Sequence, residues 1–156
     1  MTPAQPARRF DSAEQEAYLN LWRSYDRLRL FEDALFARFE LTAQQYNLLR
    51  LLKADSPQET MVLAERLVSR APDITRMLDK LETRGLIARS RPAENRRVVR
   101  VAITPEGRAL LRELARPVRD CAVGQLGHLS PAQLRQLTEL LRAARAPHEE
   151  LDSAWR

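Results

Sequence analysis

The segment from Leu63 to Gly107, LAERLVSRAPDITRMLDKLETRGLIARSRPAENRRVVRVAITPEG, constrains the fold more than any other part of the chain. It opens on two short runs of helical periodicity, 61–67 and 71–84, separated by a tight break at Val68-Ser69-Arg70. In the second run Ile74, Met77, Leu78 and Leu81 follow the i, i+3, i+4, i+7 rule of a buried stripe. The opposite face carries Asp73, Thr75, Arg76, Asp79, Lys80 and Arg84. Pro72 suits a first helical turn, where a missing N–H costs nothing, and Gly85 stands where a left-handed residue ends a helix. Two β-prone runs follow, 86–89 and 98–103, the second with Val99, Val101 and Ile103 alternating with Arg100 and Ala102. Between them lies a long, basic hairpin tip, Ser90-Arg91-Pro92-Ala93-Glu94-Asn95-Arg96-Arg97. Helix, turn, helix and hairpin in this order predict a winged helix-turn-helix, mainly α with a small β wing.

The flanking sequence is helical. Ser12, with Gln15 three residues on, is an N-cap with a box partner for a helix over 13–39. Thr42 with Gln45 opens a second, over 43–54, whose buried stripe is Tyr46, Leu48, Leu49 and Leu52; the cluster Asp55-Ser56-Pro57 ends it. Thr60 is read as the cap of helix 61–67, with Leu63, Ala64 and Leu67 inward. Thr104-Pro105 starts a helix over 105–126, and Ser130-Pro131 with Gln133 starts one over 131–145. The expected organisation is a winged lobe over 41–104, a helical region made of 13–39 and 105–145, and mobile tails at 1–12 and 147–156. That helical region is rich in apolar side chains. Tyr18, Trp22, Tyr25, Leu28 and Leu35 recur on the first helix at near-helical spacing, enough to bury two faces. Leu110, Leu111, Leu114, Val118, Leu126, Leu134, Leu137, Leu140 and Leu141 follow on the last two. An intramolecular three-helix core is one way to cover this surface. A subunit interface is the other and is the expected one, since a winged lobe of this size is too small to cover it.

The formal charge over 156 residues is +5. From Arg66 to Arg100 ten Lys/Arg stand against four Asp/Glu, a net +6, which leaves −1 for the rest of the chain. A basic excess confined to one segment points to a polyanion at one face. A lone cysteine, Cys121, allows no intramolecular disulfide; it is read as an inert helix residue, with a thiol sensor as the alternative. No stretch approaches the about 20 apolar residues of a membrane span, and the N-terminus lacks the apolar core of a signal peptide. A cytoplasmic location is expected. His128 and His148 have no metal-ligand spacing. With four glycines and no Gly-rich loop or nucleophile–base set, neither an enzyme nor a cofactor protein is expected.

A helix that buries one stripe and shows a cationic, polar one fits the DNA major groove, and its N-terminal residues meet base edges. Arg70, Pro72, Asp73, Thr75, Arg76 and Lys80 are the candidates on that side. Asp73 has two readings, as a cap at the positive end of the helix or as an acceptor for a cytosine amino group. Arg91, Asn95, Arg96 and Arg97 are the candidates on the hairpin tip, because a narrow minor groove attracts inserted arginine; solvated loop charges pairing with Glu94 are the alternative.

The segments LTAQQYNLLRLL (41–52), LAERL (63–67), ITRMLDKLETRGLIAR (74–89), NRR (95–97) and ITPEG (103–107) resemble, in order and spacing, the multiple-antibiotic-resistance regulator (MarR) family of bacterial transcription factors. The resemblance implies a homodimer through the first and last two helices, with two winged lobes on a pseudo-palindromic operator. It further implies repression as the default, with DNA binding altered by a small aromatic or phenolic effector or by an oxidant. Family pockets lie between lobe and dimer helices, where Trp22, Tyr25, Arg29, Phe31 and Tyr46 are candidates; ordinary core aromatics and a surface Arg29 are the expected reading, with the pocket lining as the alternative. The family wing commonly reads Asp-Arg-Arg. Asn95 occupies the Asp position here, which predicts a looser wing in which Glu94 can stand in for the missing carboxylate. The competing function is a winged-helix architectural or protein-docking module without effector response.

Overall fold

The computed structural model describes residues 10–67 and 73–149. Its elements are α1 (Ala13–Ala37), α2 (Ala43–Ala54), β1 (Gln58–Glu59), α3 (Thr60–Arg66), α4 (Ile74–Thr83), β2 (Ile87–Ser90), β3 (Arg100–Ile103), α5 (Pro105–Leu126) and α6 (Pro131–Arg145), with a short 3-10 turn at Ala146–His148. The mainly helical class with a small antiparallel sheet is as expected, and α2, α5 and α6 have the expected bounds.

Local chemistry sets the helix ends. Ser12 Oγ accepts from the Gln15 N–H at 3.1 Å. The Gln15 side chain, expected to close a box on Ser12, accepts from the Asp11 N–H instead. True capping boxes open α2 at Thr42/Gln45 and α6 at Ser130/Gln133. The α1 helix stops at Ala37, two residues short of expectation, because Glu40 takes φ +53°. Its N–H reaches Ala37 O at 3.1 Å while the Leu41 N–H reaches Phe36 O at 3.0 Å, and the apolar pair Phe36 and Leu41 is buried. This is a Schellman closure. Gly85, at φ +68°, closes α4 in the same way, through Glu82 O and Leu81 O.

Three expectations need correction. The sheet has three strands in the order β1-β3-β2, with Gln58 opposite Val101 and Ile87 opposite Ile103. The two-residue β1 is too short to show alternation. Its presence turns Thr60 from a cap into the first residue of α3, the N–H and hydroxyl of Thr60 both donating to Val99 O. The hairpin strands are also shifted and shortened: β2 runs one residue later than 86–89, and β3 begins at Arg100, not Val98. Finally α4 begins at Ile74 rather than 71, with Asp73 as its N-cap. Val68-Ser69-Arg70 and Pro72 lie outside the described residues.

The core is centred on the winged lobe and reaches into the end of α1 and the first half of α5. Leu48, Leu49 and Leu52 of α2, Leu63 of α3, Leu78 and Leu81 of α4, Ile87 and Val101 of the sheet and Leu114 of α5 are fully buried. Each such side chain contributes about 1.5–3 kcal/mol of transfer free energy. Outside the lobe burial is sparse: α1 buries only Leu35 and Phe36, and α6 buries nothing. The aromatics expected to cover a second face of α1 stay exposed in the single chain, Tyr18 at 65 %, Trp22 at 61 % and Tyr25 at 66 %.

Candidate nucleic-acid interface

Burial of Met77, Leu78 and Leu81 fixes the rotation of α4, which leaves Thr75, Arg76, Asp79, Lys80 and Thr83 exposed. Asp73 Oδ1 accepts from the Arg76 N–H at 2.9 Å, which is the capping geometry of the two roles considered for it. Among the described residues neither Arg76 nor Lys80 has an ion-pair partner. Both border a groove with Thr42 and Gln45 at the N-terminus of α2. Arg84 lines the same groove but is tied down. Its guanidinium donates to the carbonyls of Phe39 and Glu40, tying the C-terminal end of α4 to the end of α1.

The wing carries its cations on a locally braced tip. Asn95 Oδ1 accepts from the Arg97 N–H at 3.1 Å, the Asn95 N–H donates to Pro92 O, and the Val98 N–H donates to Asn95 O. The amide at the position of the family aspartate therefore closes a turn on the backbone and engages no arginine side chain. Glu94 does not stand in for a carboxylate beside Arg96 and Arg97 either; it faces Arg100 at 4.0 Å. Arg91 Nη1 donates to Arg96 O at 2.9 Å. Arg96 and Arg97 are exposed.

Arg89 on β2 stands in the sequence as one residue of a β-prone run, with no role of its own. In the structure its Nε and Nη2 donate to Glu82 Oε2 at 2.8 and 2.6 Å, its Nη2 reaches Asp79 Oδ1 at 2.7 Å, and its own N–H donates to Glu82 Oε1 at 2.9 Å. Hydrogen bonds from Arg89 hold the Glu82 carboxyl below the usual carboxylate range, against the opposing pull of burial. The only signal in the sequence is two carboxylates three apart on one helix face, facing a strand of known alternation. Between α3, α4 and the wing runs a groove lined by Thr60, Met61, Thr75, Arg89, Arg91 and Arg97.

The effector candidates are not brought together within one chain. Tyr46 is half-buried in the lobe, stacked on Phe36 with ring centroids 4.7 Å apart. Trp22 and Tyr25 lie roughly 15–20 Å further along α1, at 1.5 Å per residue from Phe36. Arg29 pairs along its own helix with Asp26 and Asp33. A different hollow, between α1 and α5, is lined by Phe31, Leu35, Arg38, Arg116, Pro117 and Cys121. Burial, followed by the nearby Glu32 charge, pushes the Cys121 thiol up. Among the described residues no helix is long and apolar enough to cross a membrane.

Comparison with known proteins agrees with this geometry. The model of the MarR family matches residues 41–99. The crystal structure of a MarR transcription factor from Planctomyces limnophilus is 51 % identical over 86 % of this chain and 99 % of that one, with a TM-score of 0.69. Bordetella bronchiseptica BpsR, whose DNA binding is regulated by 6-hydroxynicotinic acid, is 27 % identical over 86 % of this chain and 96 % of its own, with a TM-score of 0.76. The homoprotocatechuate degradative operon repressor of Escherichia coli is 28 % identical over 67 % of this chain and 70 % of that protein.

Proposed function

The chain belongs to the MarR family of transcription factors, and from that premise we propose that it is a homodimeric repressor. In this reading it binds a pseudo-palindromic operator and is released by a small aromatic or phenolic effector. The observation that carries the DNA contact is that Arg76 and Lys80, without ion-pair partners among the described residues, stand exposed on the outer face of α4 while Arg96 and Arg97 stand exposed on the wing. The helix enters the major groove, with Thr75 and Arg76 nearest the bases, and the wing arginines enter the flanking minor groove. Asp73, Arg91 and Asn95 belong to the same proposed contact set, as do Arg70 and Pro72, which lie outside the described residues.

The dimer reading rests on uncovered apolar surface. Residues 13–39 and 105–145 carry Tyr18, Leu21, Trp22, Tyr25, Leu30, Val123, Leu140 and Leu141 exposed in a single chain, apolar surface that a second copy would cover. A two-fold pair of lobes matches half-sites about one helical turn apart. For the effector, the hollow between α1 and α5 joins apolar Phe31 and Leu35 to Arg38 and to the Arg116–Asp120 pair, a mixed apolar and polar lining that suits a small aromatic or phenolic molecule. A regulator of this kind works in the cytoplasm and needs no catalytic group.

Selection of genomic fragments at near-physiological salt, followed by footprinting of the strongest site, tests the reading. A protected inverted repeat with half-sites about one turn apart is expected. Binding that ignores sequence, or no enriched fragment, refutes it in favour of an architectural or protein-docking module.

A further inference from the structure

We infer that Arg89 is a positioning residue for operator recognition: by bridging Asp79 and Glu82 of α4 from strand β2, it sets the separation of the base-reading helix and the wing. The inference rests on the DNA-binding reading above and adds a device to it.

The geometry is specific. One guanidinium engages two carboxylates that are neighbours on α4, at 2.7 Å to Asp79 and at 2.6 and 2.8 Å to Glu82. Glu82 in turn holds both the guanidinium and the backbone N–H of Arg89, so strand and helix are joined by side chain and main chain together. A planar fork makes this arrangement; an ammonium, a point donor on a flexible stem, does not reproduce it. The bridge crosses from α4 to the wing beside the groove that Thr75, Arg91 and Arg97 also line. No other ion pair among the described residues connects α4 to the hairpin. The wing is otherwise braced within itself, through Asn95, Arg91 and Glu94, and to α3 through the Thr60 hydrogen bonds to Val99 O. Without Arg89 the register between major-groove and minor-groove contacts is left to packing and to main-chain hydrogen bonds at the end of α4 and at Val99, and two unpaired carboxylates face the path of a phosphate backbone.

A direct phosphate contact by Arg89 makes the opposite prediction, and charge separates the two. Asp79→Ala with Glu82→Ala removes two negative charges beside DNA and frees Arg89. If Arg89 were a phosphate ligand, this double variant would bind operator as tightly as the parent or tighter. As a positioning residue, Arg89 loses its anchor, and operator binding weakens roughly tenfold, at the lower end of what losing one groove contact costs. Arg89→Gln should weaken binding to a similar degree, and Arg89→Lys, which keeps one pairing and the fold, should fall between.

The experiment is hydroxyl-radical footprinting and titration of the selected operator with the dimeric parent and these variants, with thermal melting alongside. Loss of protection at the outer minor-groove flanks, with the central major-groove protection and the melting temperature retained, supports the inference. Unchanged flank protection in the double variant, or binding tighter than parent, overturns it while leaving the DNA-binding reading intact. A parent that protects no inverted repeat overturns both.

Discussion

Gly107 offers a test in which helix propensity and packing predict opposite signs. It is the third residue of α5, its N–H donating to Thr104 Oγ1 at 3.1 Å, and it is buried. A Cβ placed there lies 2.8 Å from Ile103 Cγ1 and closer still to the Leu86 carbonyl oxygen. Roughly 1 Å of separation is needed to restore ordinary van der Waals distance. Neither side yields easily. The Leu86 carbonyl accepts from the Thr104 N–H at 3.2 Å, and the Thr104 hydroxyl donates to Gly85 O at 2.6 Å, so the turn after α4 and the start of α5 are stapled together. Overpacking of this kind costs about 1–3 kcal/mol, and straining the Leu86–Thr104 hydrogen bond adds about 1 kcal/mol. Replacing a helical Gly by Ala returns about 1 kcal/mol. Gly107→Ala is therefore expected to destabilise by about 1–3 kcal/mol, a fall in Tm of roughly 3–10 °C for a chain of this size. The assay is thermal denaturation by circular dichroism at fixed protein concentration, since subunit association would otherwise shift Tm. Gly124→Ala is the internal control: its Cβ would sit 3.5 Å from the Phe31 ring, an ordinary contact, so Tm should hold or rise. A Gly107→Ala protein that melts at or above the parent refutes the close-approach argument.

Arg96→Ala and Arg97→Ala are each expected to weaken operator binding by about 1–3 kcal/mol if the side chain enters the minor groove, read by gel shift at fixed salt; two variants that bind like the parent would exclude the wing from recognition. Cys121 should alkylate with iodoacetamide more slowly than a free thiol at pH 8, because burial raises its pKa. The sign of the linkage follows: its folded pKa lies above the unfolded one, so its contribution to stability is complete below the unfolded thiol pKa and is lost as pH rises through the folded value. Cys121→Ser should remove that alkaline limb from a stability–pH curve, and a limb that persists would assign it elsewhere. Leu141→Asp, on the uncovered face of α6, should convert a dimer to a monomer in multi-angle light scattering, with the far-ultraviolet spectrum kept; an unchanged dimer mass would place the interface on another surface.

Most of the local architecture is legible in the sequence because short-range chemistry decides it. Thr42, Thr104 and Ser130 cap helices through their own side chains, Gly85 closes α4 in a left-handed conformation, and the period of Met77, Leu78 and Leu81 orients α4 whatever surrounds it. The family resemblance is legible for the same reason, since its motifs are these caps, stripes and turns. What the sequence hides depends on partners far along the chain. Strand β1 exists only because Val101 and Arg100 lie opposite it, and Thr60 loses its capping role to a carbonyl 39 residues away. Glu94 meets a cation other than the expected ones because the hairpin register places Arg100 nearer than the wing tip does Arg96 or Arg97.

The candidate site divides along the same line. Composition and charge placement determined that residues 66–100 carry the basic excess, and helical periodicity determined which α4 side chains face outward. Only the tertiary structure gave those outward cations and acids their separate roles. It leaves Arg76 and Lys80 without ion-pair partners among the described residues, commits Arg84 to carbonyls at the end of α1, and binds Asp79 and Glu82 to Arg89. Periodicity reports which face a side chain occupies. It carries no record of which atoms another segment brings to that face, and a charge becomes a DNA contact or a structural tie according to the partner within hydrogen-bond reach.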